Sequence, residues 1–426
     1  MYVLFGMFFI NLYTNIAKIP LVMRKYVCLI AVLLVNLCVF AQGTKLQRAT
    51  PEEMKMSSEK LSLIDNVVNQ AIKDTIIPGA VVCVVRKDKV VFLKAYGHKA
   101  IYPKKEKMTE NTVFDLASCS KCVGTTLSFM QLVESGKLRL ADRVDMYIPG
   151  FEPYIGEDGA PVHIRVIDLL THTSGLPAYV NPSQVEKEYG NTKPESLLDW
   201  IAHCKRVYKP TNGYVYSCLN FVTLQHILQK VTGMQLCDYA QKNIFDRLGL
   251  AHTTYMPKAL KKKEIMKLVA PTEKQVDGKC LIGEVHDPIA RVINKGNSGN
   301  AGVFSNAEDL AVICAALLNG GQYGGKRILG PLTVKAMGEV PAEVVKYGRT
   351  LGWDGDLRYY TGGDLFSLKT YGHTGYTGTS IAIDPVSNTA VIILSNRVHP
   401  YDTGNLARPR TLISNIVAGS IVGELQ

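Results

Sequence analysis

The chain of 426 residues has no internal repeat, no low-complexity tract and no long linker, which excludes fibrous, solenoid and largely disordered readings. It has no His-Glu-x-x-His, no phosphate loop and no Gly-x-Gly-x-x-Gly, so neither a metal nor a nucleotide cofactor is expected. No Gly-x-Ser-x-Gly elbow is present to complete a triad with His286-Asp287. Charge is sparse at 20% of residues, and the net excess is +11. Three of those positive charges (Lys18, Arg24, Lys25) lie in residues 1–41, which contain no acid, leaving a diffuse +8. The one dense patch, Lys258 through Lys261, Lys262 and Lys263 to Lys267, has no interleaved aromatics to stack on bases. It reads as a solvated face, and no nucleic-acid partner is expected.

What is present begins with a leader. Met23-Arg24-Lys25 is followed by the apolar run 26–40 and then Ala41-Gln42-Gly43, the layout of a signal peptide. Export to the periplasm or medium is expected, with cleavage after Ala41, residues 1–41 as signal peptide and translation starting at Met23. Fifteen apolar residues fall short of the roughly 20 that a spanning helix needs, so membrane association is expected only if the leader is retained. Ten Cys occur, two of them (Cys28, Cys38) in the leader, and the irregular spacing of the other eight specifies no disulfide pairing.

Residues 42–426 read as one mixed unit of the α/β (α+β) class. A helical lead-in at 61–72 precedes two strand patterns, 80–85 and 90–96, joined by the turn Arg86-Lys87-Asp88-Lys89. Strand patterns return at 380–383 and 390–394 across Asp384-Pro385-Val386-Ser387-Asn388, and a helix carrying Leu412, Ile413, Ile416 and Val417 closes the chain. Strands at both ends imply one antiparallel sheet flanked by helices, drawn from about 60–117 and 330–426, with an inserted, mostly helical part at about 118–329.

Three stretches carry chemistry. Ser118-Cys119-Ser120-Lys121 stands at the start of a helical pattern with Val123, Leu127, Met130 and Val133 on one face and Gly136 as its stop. Residues three apart share a face, so Lys121 is placed beside the Ser118 hydroxyl, and a desolvated lysine with a lowered pKa is suited to remove its proton. The spacing alone is weak: Ser57-Ser-Glu-Lys60 repeats it, and Ser118 by itself suits an N-cap. The same stretch contains Cys119-x-x-Cys122, a candidate redox pair whose thiols a helix dipole would acidify, about 100° around the helix from the Ser118 face. Buried small hydrophobes are the plainer reading of both thiols. The second stretch is Tyr214-Val-Tyr216-Ser217-Cys218-Leu219-Asn220, before a helix ending at Gly233. The third is Tyr371-Gly372-His373-Thr374-Gly375-Tyr376, whose glycines at a strand entry permit close approach of a ligand.

In this order, Ser118-x-x-Lys121, the Tyr216-Ser217 pair and His373-Thr374-Gly375 resemble the three motifs of the serine β-lactamase and penicillin-binding-protein superfamily. The likeness is to the class C β-lactamase, D-alanyl-D-alanine peptidase and esterase branch. Pro78-Gly79-Ala80, Leu169-Leu-Thr-His-Thr-Ser-Gly-Leu-Pro177, Asn300-Ala-Gly-Val-Phe-Ser305 and Ser395-Asn-Arg-Val-His-Pro400 agree, so the likeness runs from about Leu61 to the last helix. It implies a β-lactamase/transpeptidase-like fold, a cofactor-free serine hydrolase and a small-molecule or peptidoglycan-derived substrate. It also implies Ser118 as acylated nucleophile, Lys121 as its base partner, Tyr216 as proton shuttle and His373 in place of a common lysine. Thr374 and Gly375 would line the substrate's strand edge, and the backbone N–H groups of Ser118 and Tyr376 would form the oxyanion hole. The sequence departs where that branch usually has Asn two residues after the Tyr: here it is Cys218, and a thiol cannot bridge a substrate amide and a lysine as a carboxamide does. A literal Tyr-x-Asn lies elsewhere, at Tyr179-Val180-Asn181, and Tyr216 is preferred for its setting. Two other classes compete: a binding or sensor protein that keeps the pocket without turnover, and the Cys119/Cys122 thiol oxidoreductase. Of the remaining histidines, His226 is expected on an exposed helix face and His172 in fixing the turn before Gly175.

Overall fold

The computed structural model describes residues 44–355 and 361–423; the expected leader and its cleavage point at Ala41 lie outside them. Among the described residues seven strands form the main sheet: β1 (Gly79–Arg86), β2 (Lys89–Ala100), β3 (Glu106–Lys107), β4 (Asp354–Gly355), β5 (Tyr371–Thr374), β6 (Ser380–Asp384) and β7 (Thr389–Ser395). Their spatial order is β4-β5-β6-β7-β1-β2-β3, antiparallel throughout. The β1–β2 hairpin sets Cys83 opposite Leu93, and β6–β7 turn back at Asn388, which adopts φ 55°. Ala80 pairs with Ser395, so the two ends of the chain meet in one sheet as their strand patterns imply.

Five helices bear on the site: α1 (Ile64–Lys73), α2 (Leu127–Glu134), α3 (Cys218–Thr232), α4 (Ala307–Leu318) and α5 (Ala407–Gly419). Every residue of β1 is buried. An antiparallel strand with one wet face alternates in polarity, and β1 does not because both its faces are covered. Val81, Cys83 and Val85 enter the core that contains α4, while Ala80, Val82 and Val84 pack with Ile64, Val68 and Ala71 of α1 and Ile413 and Val417 of α5. These helical residues recur at the three-to-four spacing of one apolar stripe.

A second, small sheet positions the chemistry. Residues Phe114–Asp115 pair with Val303–Ser305, which pair in turn with Thr254–Tyr255. Leu116 N–H donates to the Val303 carbonyl at 2.9 Å and Val303 N–H donates to Ser120 Oγ at 3.0 Å, which ties the Ser118 turn to the segment after Asn300. Among the described residues no helix is long and apolar enough to cross a membrane.

Candidate active site

Ser118 follows a forced turn. Ala117 adopts φ 45°, a left-handed conformation that costs an L-residue roughly 1–2 kcal/mol. The Asp115 carboxylate holds it there, accepting Ala117 N–H at 2.9 Å and His286 N–H at 2.7 Å. The chain then winds tightly: the N–H groups of Cys119, Ser120 and Lys121 donate to the carbonyls of Leu116, Ala117 and Ser118 at 3.1, 3.0 and 3.0 Å. With three residues per turn the side chains of Ser118 and Lys121 stack, and Lys121 Nζ lies 3.0 Å from Ser118 Oγ. The helix expected to run on from Lys121 is widened to a π-type turn over Lys121–Thr126 before α2 begins. The other Ser-x-x-Lys is a cap only: Ser57 Oγ accepts the Lys60 N–H at 3.2 Å.

Lys121 is fully buried. Its three ammonium protons have three acceptors: Ser118 Oγ, the Asn300 carbonyl at 2.9 Å and Cys218 Sγ at 3.6 Å. Burial pulls its pKa down, yet Cys218, Tyr216 and Asp287 push it up by more, so Lys121 stands above its ordinary value. This reverses the lowered lysine expected from desolvation alone. The physical reason is that the site supplies acceptors for the charge it buries.

Tyr216 stands over this pair, its ring centroid 5.0 Å from Lys121 Nζ. Burial raises the phenol and the Lys121 charge lowers it, with burial prevailing. Its hydroxyl is near enough to Ser118 and Lys121 to feel both, although it makes no hydrogen bond of good geometry among the described residues. His172 packs on one side with ring centroids 4.5 Å apart, and His373 lies at 5.8 Å. His172, at φ 58°, accepts Ser217 N–H on Nδ1 at 3.0 Å, so it ties the Tyr216 loop to its own turn. His373 Nδ1 lies 2.7 Å from the Thr374 carbonyl, which only accepts, so Nδ1 carries the proton and Nε2 is left as an acceptor. Burial, then Arg349 and Lys121, pull His373 well below the usual histidine range.

A cleft of about 700 Å³ opens beside these groups, and Ser118, Tyr216, His373, Thr374, Gly375 and Tyr376 are among its lining. Gly375 is required there because a Cβ would overlap the Leu116 carbonyl and the Thr379 hydroxyl, separating β5 from the Ser118 turn. Cys218 is not among the lining residues; its half-buried thiol accepts from Lys121 Nζ at 3.6 Å. Tyr179 is not among the lining residues either; its hydroxyl accepts Ile289 N–H at 3.2 Å.

Other sequence candidates resolve into support. Cys119 and Cys122 are buried free thiols that donate to the carbonyls of His373 at 3.5 Å and Gly352 at 3.2 Å. Burial pushes Cys119 up to about 11 and Cys122 well above its ordinary value, the opposite of an acidified redox pair. His226 is partly buried rather than exposed, with an enclosed Nε2 that has no partner among the described residues. His286 does not form a triad with Asp287; its Nε2 meets Glu273 at 3.0 Å and its ring stacks on Tyr376 at 5.7 Å. Arg349 escaped the sequence reading altogether, and Asp287 and Arg397 appear in it without a role at the site. Asp287 acts on Lys121, while Arg349 and Arg397 line the cleft, and none of the three belongs to a local motif that marks such a role.

The sequence profile described as Beta-lactamase matches residues 64–415. A protein of Salmonella typhimurium (strain LT2) named "Putative D-alanyl-D-alanine carboxypeptidase" is 32% identical over 403 residues, covering 89% of this chain and 92% of that one. Among solved structures, "EstCE1, a hydrolase with promiscuous acyltransferase activity" superposes with a TM-score of 0.68 at 23% identity, covering 85% of this chain and 99% of that one. A penicillin-binding-protein homolog from Caulobacter crescentus superposes with a TM-score of 0.65 at 16% identity, covering 86% and 98%. The fold is therefore of the β-lactamase/transpeptidase kind, and the chain belongs to the Beta-lactamase family as a serine hydrolase.

Proposed function

We propose that the protein is an exported D-alanyl carboxypeptidase that acts on peptidoglycan-derived peptides through an acyl-enzyme on Ser118. The observation that carries this reading is the convergence of Ser118, Lys121 and Tyr216 at one cleft wall, with Lys121 Nζ 3.0 Å from Ser118 Oγ. The named carboxypeptidase relative supports the substrate class, and the leader Met23–Ala41 supports export.

The chemistry follows from where the protons sit. All three Lys121 protons are held by acceptors, so Lys121 acts as a charge, and the base beside Ser118 is the Tyr216 oxygen in its phenolate form, which burial opposes and the Lys121 charge favours. That phenolate, facing the ammonium, takes the Ser118 proton as Oγ attacks the scissile carbonyl. Lys121 acts as the charge that makes the phenolate accessible and orients Oγ. The oxyanion forms between the N–H groups of Ser118 and Tyr376, neither of which donates to a backbone carbonyl among the described residues. Each such donor is worth roughly 2.7–4 kcal/mol of barrier. Tyr216 then passes its proton to the departing amine and, in the second half-reaction, takes one from the attacking water and returns it to Ser118 Oγ as the acyl–oxygen bond breaks.

One observation favours a carboxylic ester as the alternative substrate. Cys218 brings a thiol to Lys121 where a carboxamide would grip a substrate amide, and an ester makes no use of that grip. Intact mass of residues 42–426, incubated in turn with a penicillin, a D-alanyl-D-alanine peptide and an activated phenyl ester, tests the reading. An adduct or turnover that vanishes in Ser118→Ala is expected. A folded protein acylated by none of them would sink hydrolysis at this site in favour of a binding role.

A further inference from the structure

Arg349 is buried to 2% exposure in the wall of the cleft, where a solvated cation would ordinarily stand at the rim. Its guanidinium carbon lies 5.8 Å from the centroid of the Tyr216 ring and 5.9 Å from that of Tyr214, and its ion-pair partner is Asp354 on the edge strand β4. Lys121 stands 5.0 Å from the Tyr216 centroid, so two buried cations approach one phenol ring. His373 and Ser118 line the same cleft as Arg349.

We propose that Arg349 is a positioning residue for the Ser118 reaction, its buried charge holding the Tyr216–His373 face with an uncharged imidazole whose Nε2 is offered to the substrate as an acceptor. The proposal rests on the reading of Ser118 as nucleophile and adds a residue to it that no local motif marks.

The tautomer supplies the reason such a charge is useful. The Thr374 carbonyl takes the Nδ1 proton of His373, and Nε2 is buried with no partner among the described residues. An acceptor at that point receives a hydrogen bond from a substrate N–H or O–H, and a protonated ring there would offer a donor instead. Lys121 and Arg349 oppose protonation, and His172, itself held neutral by burial and by the same two cations, lies beyond Tyr216. Around Tyr216 the groups are Ser118, Lys121, Cys218, His172, His373 and Arg349; Asp287 reaches Lys121 and Cys218, and Asp354 offsets part of the Arg349 charge. Asp354 pairs with Arg349 Nη1 and offsets part of the charge, while Nε and Nη2 have no hydrogen-bond partner among the described residues.

The test is the pH profile of kcat/KM for whichever acyl substrate the wild-type protein turns over, in Arg349→Gln, Arg349→Lys and Asp354→Asn, each checked for a wild-type thermal transition. Arg349→Gln removes a cation that opposes His373 protonation. Its acidic limb is expected to move to higher pH by about one unit, the scale of one nearby charge, with activity reduced on that side. Arg349→Lys keeps the charge and should retain the wild-type limb. Asp354→Asn strips the counter-ion and should move the limb the other way, which keeps the proposal exposed even if Arg349→Gln does not fold. Lowered activity with unmoved limbs would reduce Arg349 to a packing residue. A rise in KM for anionic substrates alone would make it a substrate contact, and either result overturns the proposal. Ser118→Ala separates this from the underlying reading: if that variant still turns over substrate, the nucleophile is misassigned whatever the limbs do.

Discussion

Lys121 Nζ donates to Ser118 Oγ at 3.0 Å, so the serine meets its lysine through a lone pair and not through its own proton. The hydroxyl hydrogen therefore points elsewhere, and Tyr216 is the group with the position to take it. Removing the charge should consequently cost as much as removing a base. Lys121→Met is expected to lower the acylation rate roughly 10²–10⁴-fold, the usual span for a positioned proton-transfer group, with the fold retained. Stopped-flow acylation beside Ser118→Ala measures it; a Lys121→Met enzyme within a few fold of wild type would refute the ammonium's role.

The two candidate tyrosines separate cleanly. Tyr216→Phe should reduce acylation by a similar roughly 10²–10⁴-fold. Tyr179→Phe should leave acylation near wild type but strip the acceptor of the Ile289 N–H, lowering stability by about 1–3 kcal/mol. Paired acylation assays and denaturant melts decide it, and loss of acylation in Tyr179→Phe alone would reverse the assignment.

Cys218→Asn restores a carboxamide beside Lys121 and Asn300. A hydrogen bond to a charged group is worth about 1.5–3 kcal/mol, so the ratio of amide or β-lactam acylation to ester acylation should rise about tenfold or more. Competition between a penicillin and a phenyl ester reads the ratio directly. An unchanged ratio would mean that the thiol does not set substrate preference.

His226 makes stability depend on pH. Burial pulls it down to about 4 from an ordinary value of 6.5, so between those values the unfolded chain binds a proton that the folded one refuses. Stability is therefore full above about pH 6.5 and is lost as pH falls towards 4, by on the order of 2–3 kcal/mol. His226→Gln should flatten that slope. Urea melts at pH 7 and pH 4.5 check it, and an identical slope in the variant would rule the residue out.

Much of this was legible locally. The β1–β2 and β6–β7 hairpins were readable from apolar runs and turn residues, since both depend on contacts a few residues apart. The His226 error has the opposite origin: its face is polar by helical period, and only neighbours from elsewhere in the chain close over it. Cys119 and Cys122 are the buried thiols of the plainer reading, because burial overwhelms the helix-end field that would acidify a redox pair.

By itself the sequence determined the class of fold, the order of three motifs and the stacking of Ser118 on Lys121, since periodicity and a three-residue step are properties of a local chain. Tertiary structure alone decided the protonation of the site. Whether Lys121 is charged depends on the Asn300 carbonyl 179 residues away and Cys218 97 residues away, and the state of His373 depends on a cation, Arg349, from another loop. Electrostatic energy in a buried site is set by distance in space and by exclusion of water, and neither quantity is written in sequence spacing.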